Sequence, residues 1–356
     1  MNFSKSIKIF LVMLPVLGIS FCSQAATPSK SSAAKKPAAA TTAVKKASNA
    51  ISRDPYYGAV VIDAATGAIL QEDHGSAAAY PASMVKLMNL FLILDDINAG
   101  KLRLDEPVIV TREVSQIGGR QVWLKEGEVF SLEELIYAMV VHSANDAAAA
   151  LAIRASGSCD AHAARMTARA NELGLRNTVF HNVHGLPPGK GQKADTSSAI
   201  DMALLSKALL DRHPETVKYT SIATRPFRAT NTVQLTSSNK LLGTVPGCDG
   251  LKTGYYFDGG FSITATAQRD GRRVIAVILG SKDKNVRDAK ASEWIESGFA
   301  KLPPLPPPPP PVLVEEVPEP VPEVERHGSL MPVLIGLLIL GAAAAIIVWM
   351  RRRRML

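Results

Sequence analysis

The chain is expected to fold as an α+β protein: an antiparallel sheet flanked by helices, with a helical lobe inserted between its terminal strands, plus one C-terminal transmembrane helix. Three observations predict this. β-rich segments lie at both ends of the globular region, within 57–72 and 250–280, and helical patterns fill the space between them. An uncharged apolar stretch, Met331 to Met350, stands apart near the C-terminus. Four arginines follow it immediately.

The elements are justified in order. Tyr57 to Asp63 and Ala68 to Glu72 flank Ala64-Ala65-Thr66-Gly67, a hairpin signal. Pro81 suits a helix start, and the apolar run Leu87 to Leu94 is long enough for a buried helix. Helices are expected over Ser131 to Val141, Asn145 to Ala155, Ala161 to Leu173 and Ser197 to Leu210. Gly250 to Tyr256, Gly260 to Gln268 and Arg273 to Gly280 read as strands, with Asp270-Gly271 turning between the last two. A final helix runs from Asp283 to about Phe299. The terminal segments then share one sheet, and a cleft is expected where the sheet meets the lobe.

The ends are not globular. Lys5 and Lys8 precede an apolar run from Ile9 to Phe21, and Ser23-Gln24-Ala25-Ala26 offers a small-residue cleavage site, so 1–26 reads as a signal peptide. A lipid-modified Cys22 is the alternative. Residues 27–53 are rich in Ala, Lys, Thr and Ser without apolar period, the mark of a disordered leader. The folded unit is expected at 54–301. A proline-rich linker covers 302–328; at ~3.1 Å per residue it reaches roughly 70 Å when fully extended. It serves equally well as a plain tether or as a partner motif. The segment 329–350 matches a ~30 Å hydrocarbon core, and 351–356 forms a basic tail on the cytoplasmic side.

The formal net charge of the 356-residue chain is +8. Much of it comes from Arg351 to Arg354 and from the lysines of the leader. No basic stripe with interleaved aromatics marks a nucleic-acid partner.

Three short motifs carry chemistry. Ser83 and Lys86, three apart, share one face of a helix start. A serine hydroxyl needs a base to take its proton. Lys86 suits that role only if burial or a second cation depresses its pKa. Lys252, in Lys252-Thr253-Gly254, is the expected second cation. Between them lies Ser143-Ala144-Asn145. Backbone N–H groups at the helix start are placed to stabilise an oxyanion.

With these motifs in this order, the chain resembles the serine-type D-alanyl-D-alanine carboxypeptidases, the low-molecular-mass penicillin-binding proteins. The resemblance runs from about Tyr56 to Ala300. It is supported by Val60-Val61-Ile62-Asp63-Ala64, His142 to Ala147, His184-Gly185-Leu186 and Cys248-Asp249-Gly250-Leu251. It implies the penicillin-binding protein/β-lactamase-like transpeptidase fold. It implies Ser83 as nucleophile toward a peptidoglycan stem peptide, Lys86 as general base, and Ser143 as proton relay to the leaving D-alanine. Asn145 would hold the substrate amide, Lys252 would tune Ser143, and Thr253 would bind the terminal carboxylate. Gly254 would let the substrate backbone approach the strand. The backbone N–H groups of Ser83 and Tyr255 would form the oxyanion hole. β-Lactams would be covalent inhibitors, and the enzyme would face the periplasm from the inner membrane. No cofactor is implied.

The pattern departs from relatives at three places. Tyr256 stands where they carry a threonine, and Ser238 where an arginine precedes the Asn-Xaa-Leu-Leu stretch (here Asn239-Lys240-Leu241-Leu242). Both missing groups help hold a free carboxylate; Arg225, Arg228 or Lys240 are the candidate substitutes. Ala194-Asp195-Thr196 replaces a histidine-containing turn. A D,D-endopeptidase therefore stays an alternative, as do a β-lactamase and a catalytically silent cell-wall binder. The β-lactamase needs a glutamate-held water, and Glu172 and Glu215 lack a Glu-Xaa-Xaa-Leu-Asn setting. Cys159 and Cys248 remain after signal cleavage, and whether they pair is open. His181 and His184, three apart, have no third ligand of suitable spacing, so no metal is expected.

Overall fold

Strand β1 (Gly58–Asp63) turns through residues 64–68 into β2 (Ile69–Asp73). A 3₁₀ turn, Ala82–Val85, then feeds α1 (Lys86–Asn98). A short two-stranded ribbon of β3 (Pro107–Ile109) and β4 (Val129–Ser131) brackets α2 (Arg112–Ser115). The helical lobe continues with α3 (Leu132–Val141), α4 (Asn145–Ser156), α5 (Cys159–Glu172), α6 (Ala199–Arg212) and α7 (Thr216–Thr220). A second ribbon pairs β5 (Thr224–Phe227) with β6 (Val233–Thr236). The chain returns to the main sheet as β7 (Cys248–Tyr256), β8 (Gly260–Arg269) and β9 (Arg272–Ser281), then α8 (Lys284–Lys301). Helix α9 spans Met331–Arg353. This computed structural model describes residues 52–228, 232–304 and 331–354. The predicted signal peptide, nearly all of the predicted leader and most of the proline-rich linker lie outside them.

The main sheet runs β2-β1-β9-β8-β7, antiparallel throughout. The N-terminal hairpin therefore joins the C-terminal strands through β1 and β9, as the sequence predicts. Alternation divides the sheet residues between two cores. Val60, Ile62, Ile275, Val277 and Leu279 face the helical lobe. Ala59, Val61, Ala276 and Ile278 face α8, where Trp294 meets Tyr56 edge-on at 5.9 Å. Covering both faces is what makes β1 and β9 nearly continuous apolar runs.

Helix α1 passes through the middle of the lobe. Lys86 through Leu94 are all buried, so its apolar residues surround the axis instead of forming one stripe. Helices α2, α3, α5 and α6 begin at Thr111, Ser131, Ser158 and Ser198, whose hydroxyls each accept a backbone N–H of the first turn.

Several boundaries shift from expectation. Arg53, placed in the disordered leader, is tied to the sheet: its N–H donates to the Gly280 carbonyl at 2.9 Å. Leu302, placed in the linker, is buried against the α8 core. The helix expected at 329–350 is described over Met331–Arg353 and takes in three of the arginines. Neither ribbon was anticipated, because strands of three or four residues carry too short a pattern to register as a period.

Candidate active site

Ser83 sits in the 3₁₀ turn and not in α1 proper, a one-turn correction to the expected helix start. The consequence is local: Lys86 becomes the first α-helical residue, and its Nζ reaches back to Ser83 Oγ at 3.0 Å. The same Nζ donates to Asn145 Oδ1 at 2.8 Å and to the His184 carbonyl at 2.5 Å. Lys86 is only 1% exposed, so these three acceptors replace its water. Burial, then the charges of Lys252 and Arg120, hold its pKa well below the ordinary lysine range.

Strand β7 brings Lys252 opposite. Its Nζ donates to Ser143 Oγ at 2.9 Å and to the Thr253 carbonyl at 3.0 Å. Burial, followed by the charges of Arg120 and Arg287, pushes its pKa down to about 7. Ser143 closes α3 with a left-handed backbone, φ 64°, and Ala82 just before Ser83 has φ 48°. Non-glycine residues pay ~1–3 kcal/mol for such conformations, and these two point the hydroxyls of Ser83 and Ser143 toward the lysines.

Two glycines permit the close packing. Gly254 has no room for a side chain: a Cβ there would lie 2.5 Å from the Pro81 carbonyl. The bare backbone therefore lets β7 pack on the Ser83 turn, in addition to any approach by substrate. Gly185, φ +79°, lies against the Ala82 carbonyl, where a Cβ would come within 2.1 Å. That contact sets the His184 carbonyl over Lys86.

The turn carrying His184 is braced by a residue whose role the sequence did not suggest. The Asp195 carboxylate accepts the N–H groups of His181 at 2.6 Å and Asn182 at 3.1 Å, and Asn182 Nδ2 at 2.7 Å. Asn182 Oδ1 in turn accepts from Gly185 N at 2.6 Å. Burial pushes Asp195 up to about 6 against these hydrogen bonds. His184 is pushed down to about 3 by burial and by Lys86, so its ring is neutral. Its contribution is a backbone carbonyl, which no side-chain motif advertises.

A cleft of about 770 Å³ opens over these groups. Ser83, Ser143, Asn145, Thr253, Gly254 and Tyr255 line it, whereas Lys86 and Lys252 lie behind its wall. Tyr256 also lines it, its ring 5.5 Å from that of Tyr80. Of the three suggested substitutes for the missing arginine, two are engaged elsewhere. Arg225 pairs with Glu134 at 2.5 Å and Arg228 with Glu128 at 2.8 Å. Lys240 does line the cleft, and so does Arg120, which the sequence reading overlooked. Glu172 and Glu215 pair with Arg169 and His213 away from it. Cys159 and Cys248 are free thiols, and among the described residues no group of acidic, histidine or cysteine side chains is arranged to hold a metal.

The arrangement is a serine hydroxyl in reach of one buried lysine, with a second buried lysine on Ser143, on an α+β frame. A sequence-family profile described as D-alanyl-D-alanine carboxypeptidase matches residues 44–283, and the chain belongs to that family. It is 32% identical over 245 residues to the D-alanyl-D-alanine carboxypeptidase DacF of Bacillus subtilis, covering 68% of this chain and 62% of that protein. Against DacC of Escherichia coli it is 32% identical over 248 residues, covering 67% and 60%. The chain thus spans less than two thirds of the length of these curated relatives. Its fold is similar to that of penicillin-binding protein D2 from Listeria monocytogenes in an ampicillin-bound form, with TM-score 0.62, 32% identity, and coverage of 68% of this chain and 97% of that one. It is also similar to DacD from Francisella tularensis, with TM-score 0.65, 26% identity, and coverage of 70% and 71%.

Proposed function

We propose that this chain is a serine-type D-alanyl-D-alanine carboxypeptidase that trims peptidoglycan stem peptides. The observation that carries the reading is the buried Lys86 Nζ at 3.0 Å from Ser83 Oγ, with a second lysine held behind Ser143. Neutral Lys86 takes the Ser83 proton as Oγ attacks the carbonyl between the two D-alanines. The backbone N–H groups of Ser83 and Tyr255 receive the oxyanion. As the C–N bond breaks, Ser143 passes a proton to the leaving amine and is resupplied by Lys252. Water then cleaves the ester on Ser83: Lys86 returns its proton to Oγ, a proton from the water restores Lys252 through Ser143, and the shortened peptide leaves. Asn145 and Thr253 hold the substrate's amide and carboxylate.

β-Lactams present an amide of the same shape, and the listerial relative is described in ampicillin- and cefotaxime-bound forms. Asp288 is the carboxylate among the cleft-lining residues, and it pairs with Arg287 at 2.6 Å. Among the described residues that line the cleft, no glutamate stands ready to hold a water for fast lactam release, which favours inhibition over resistance.

Export and anchoring complete the proposal: a signal peptide at 1–26, a catalytic domain near 54–301, a tether at 302–328, and α9 crossing the inner membrane with its arginines inside. The catalytic domain would face the periplasm.

The test is release of D-alanine from diacetyl-Lys-D-Ala-D-Ala, run beside purified cross-linked muropeptides. Cleavage of cross-links alone would make the protein an endopeptidase. Ser83→Ala should abolish covalent penicillin labelling; a variant that still labels would move the nucleophile elsewhere.

A further inference from the structure

A guanidinium stands beside Ser238 at the cleft. Arg120, from the loop after α2, donates from Nη1 to Ser238 Oγ at 2.9 Å and from Nη2 to the Thr236 carbonyl at 2.9 Å. It lines the cleft together with Ser83, Ser143 and Thr253. Both of its partners are neutral. Among the described residues, no carboxylate pairs with it.

The other cations near the cleft differ. Arg225 and Arg228 are neutralised by glutamates, and Arg287 by Asp288. Lys240 and Lys284 also line the cleft and, like Arg120, are exposed, but their amines make no hydrogen bond to the described residues, so nothing holds them in place. Arg120 is fixed from both ends. Its carbonyl accepts the Asn145 N–H at 2.7 Å, Asn145 Nδ2 donates to the Gly118 carbonyl at 2.9 Å, and Val122 N donates to Asp146 Oδ2 at 3.1 Å. The loop is thereby locked to the start of α4, next to the reacting serine. A guanidinium carries five N–H donors in a rigid fork. Two contacts to neutral oxygens leave donors for a carboxylate, and that fork is preorganised, which lowers the cost of binding.

We infer that Arg120 holds the free C-terminal carboxylate of the substrate, opposite Thr253, and sets the preference of this cleft for a chain end over an internal peptide bond. The inference rests on the proposed carboxypeptidase reading. A cross-linked or amidated substrate brings no negative charge to this point and leaves the cation unanswered, so it loses the contact that a free terminus gains.

The full-length protein in detergent is tested with diacetyl-Lys-D-Ala-D-Ala and with the same peptide ending in D-alaninamide. Arg120→Ala should raise KM for the free acid by about ten- to a hundredfold, the range expected for a lost hydrogen bond to a charged group. KM for the amide should change little, and Arg120→Lys should recover part of the loss. Equal damage to both substrates, or to neither, overturns the inference. So does a selective loss for the acid in Lys240→Ala with Arg120→Ala unaffected. If the wild type releases no D-alanine, the carboxypeptidase reading falls by itself. Arg120 is then judged by acylation of Ser83 with benzylpenicillin against its neutral methyl ester. A selective slowing for the acid in Arg120→Ala supports the carboxylate contact, and equal rates refute it.

Discussion

In the proposed mechanism Lys86 and Lys252 divide one task between them. As an ammonium, Lys86 gives its three protons to Ser83, Asn145 and His184. As a neutral amine it can donate to two of these and accept from Ser83, which is the form that activates a nucleophile. Lys252 favours that form, because its charge is among the influences that lower the Lys86 pKa. The sign of a test follows. Removing the charge in Lys252→Gln lets the Lys86 pKa rise, so a higher pH is needed to keep it neutral. The acid limb of the penicillin acylation profile should therefore move to higher pH. Acylation rates measured across the pH range check this, and an unmoved limb would separate Lys252 from the state of Lys86. That Ser83, Lys86 and Lys252 belong to one candidate site was legible in the sequence because each is a side chain within a short motif. Asp195 and the His184 carbonyl were not, since one acts through backbone N–H groups and the other is backbone.

At the scale of elements, the site is a joint between β7 and the turn before α1. Glycine at position 254 is what brings the strand against Pro81. In Gly254→Ala the added methyl meets a carbonyl oxygen, not the end of a flexible side chain, so the turn itself must give way. We expect acylation at Ser83 to fall at least ~10-fold, with ~1–3 kcal/mol of stability lost to overpacking. Acylation kinetics and a thermal melt on the same sample measure both. Full activity would mean that the turn relaxes without moving Ser83. The long elements were predictable here, because α1, α4, α6 and β7 to β9 carry full periods of apolar residues. The ribbons β3–β4 and β5–β6 were not, although β6 leads into the segment on which Arg120 rests.

For the whole molecule, the proposed reading gives catalysis and anchoring to separate parts of the chain. Helix α9 has 23 residues, about 34 Å at 1.5 Å per residue, enough to cross a ~30 Å hydrocarbon core. Its apolar residues are exposed along its length, as expected of a helix whose solvent is lipid and not protein. Deleting the chain from Gly328 onward should therefore release active enzyme from the membrane fraction. Fractionation with a penicillin-labelling readout decides it, and labelled product still in the pellet would refute a single anchor.

The sequence by itself determined the order of the longer strands and helices, the candidate serine with its lysine, and the apolar span, because these depend on local period or on residues a few positions apart. Tertiary structure alone decided that Arg120 faces the cleft. Arg120 and Ser238 are 118 positions apart and meet only because the loop after α2 is bound to α4 while β6 closes on the same space. Arg225 and Arg228, nearer in sequence to the missing arginine, are drawn away by Glu134 and Glu128. A charge's position in sequence says what it is; its counter-ion, which only the folded chain supplies, says whether it is free to bind.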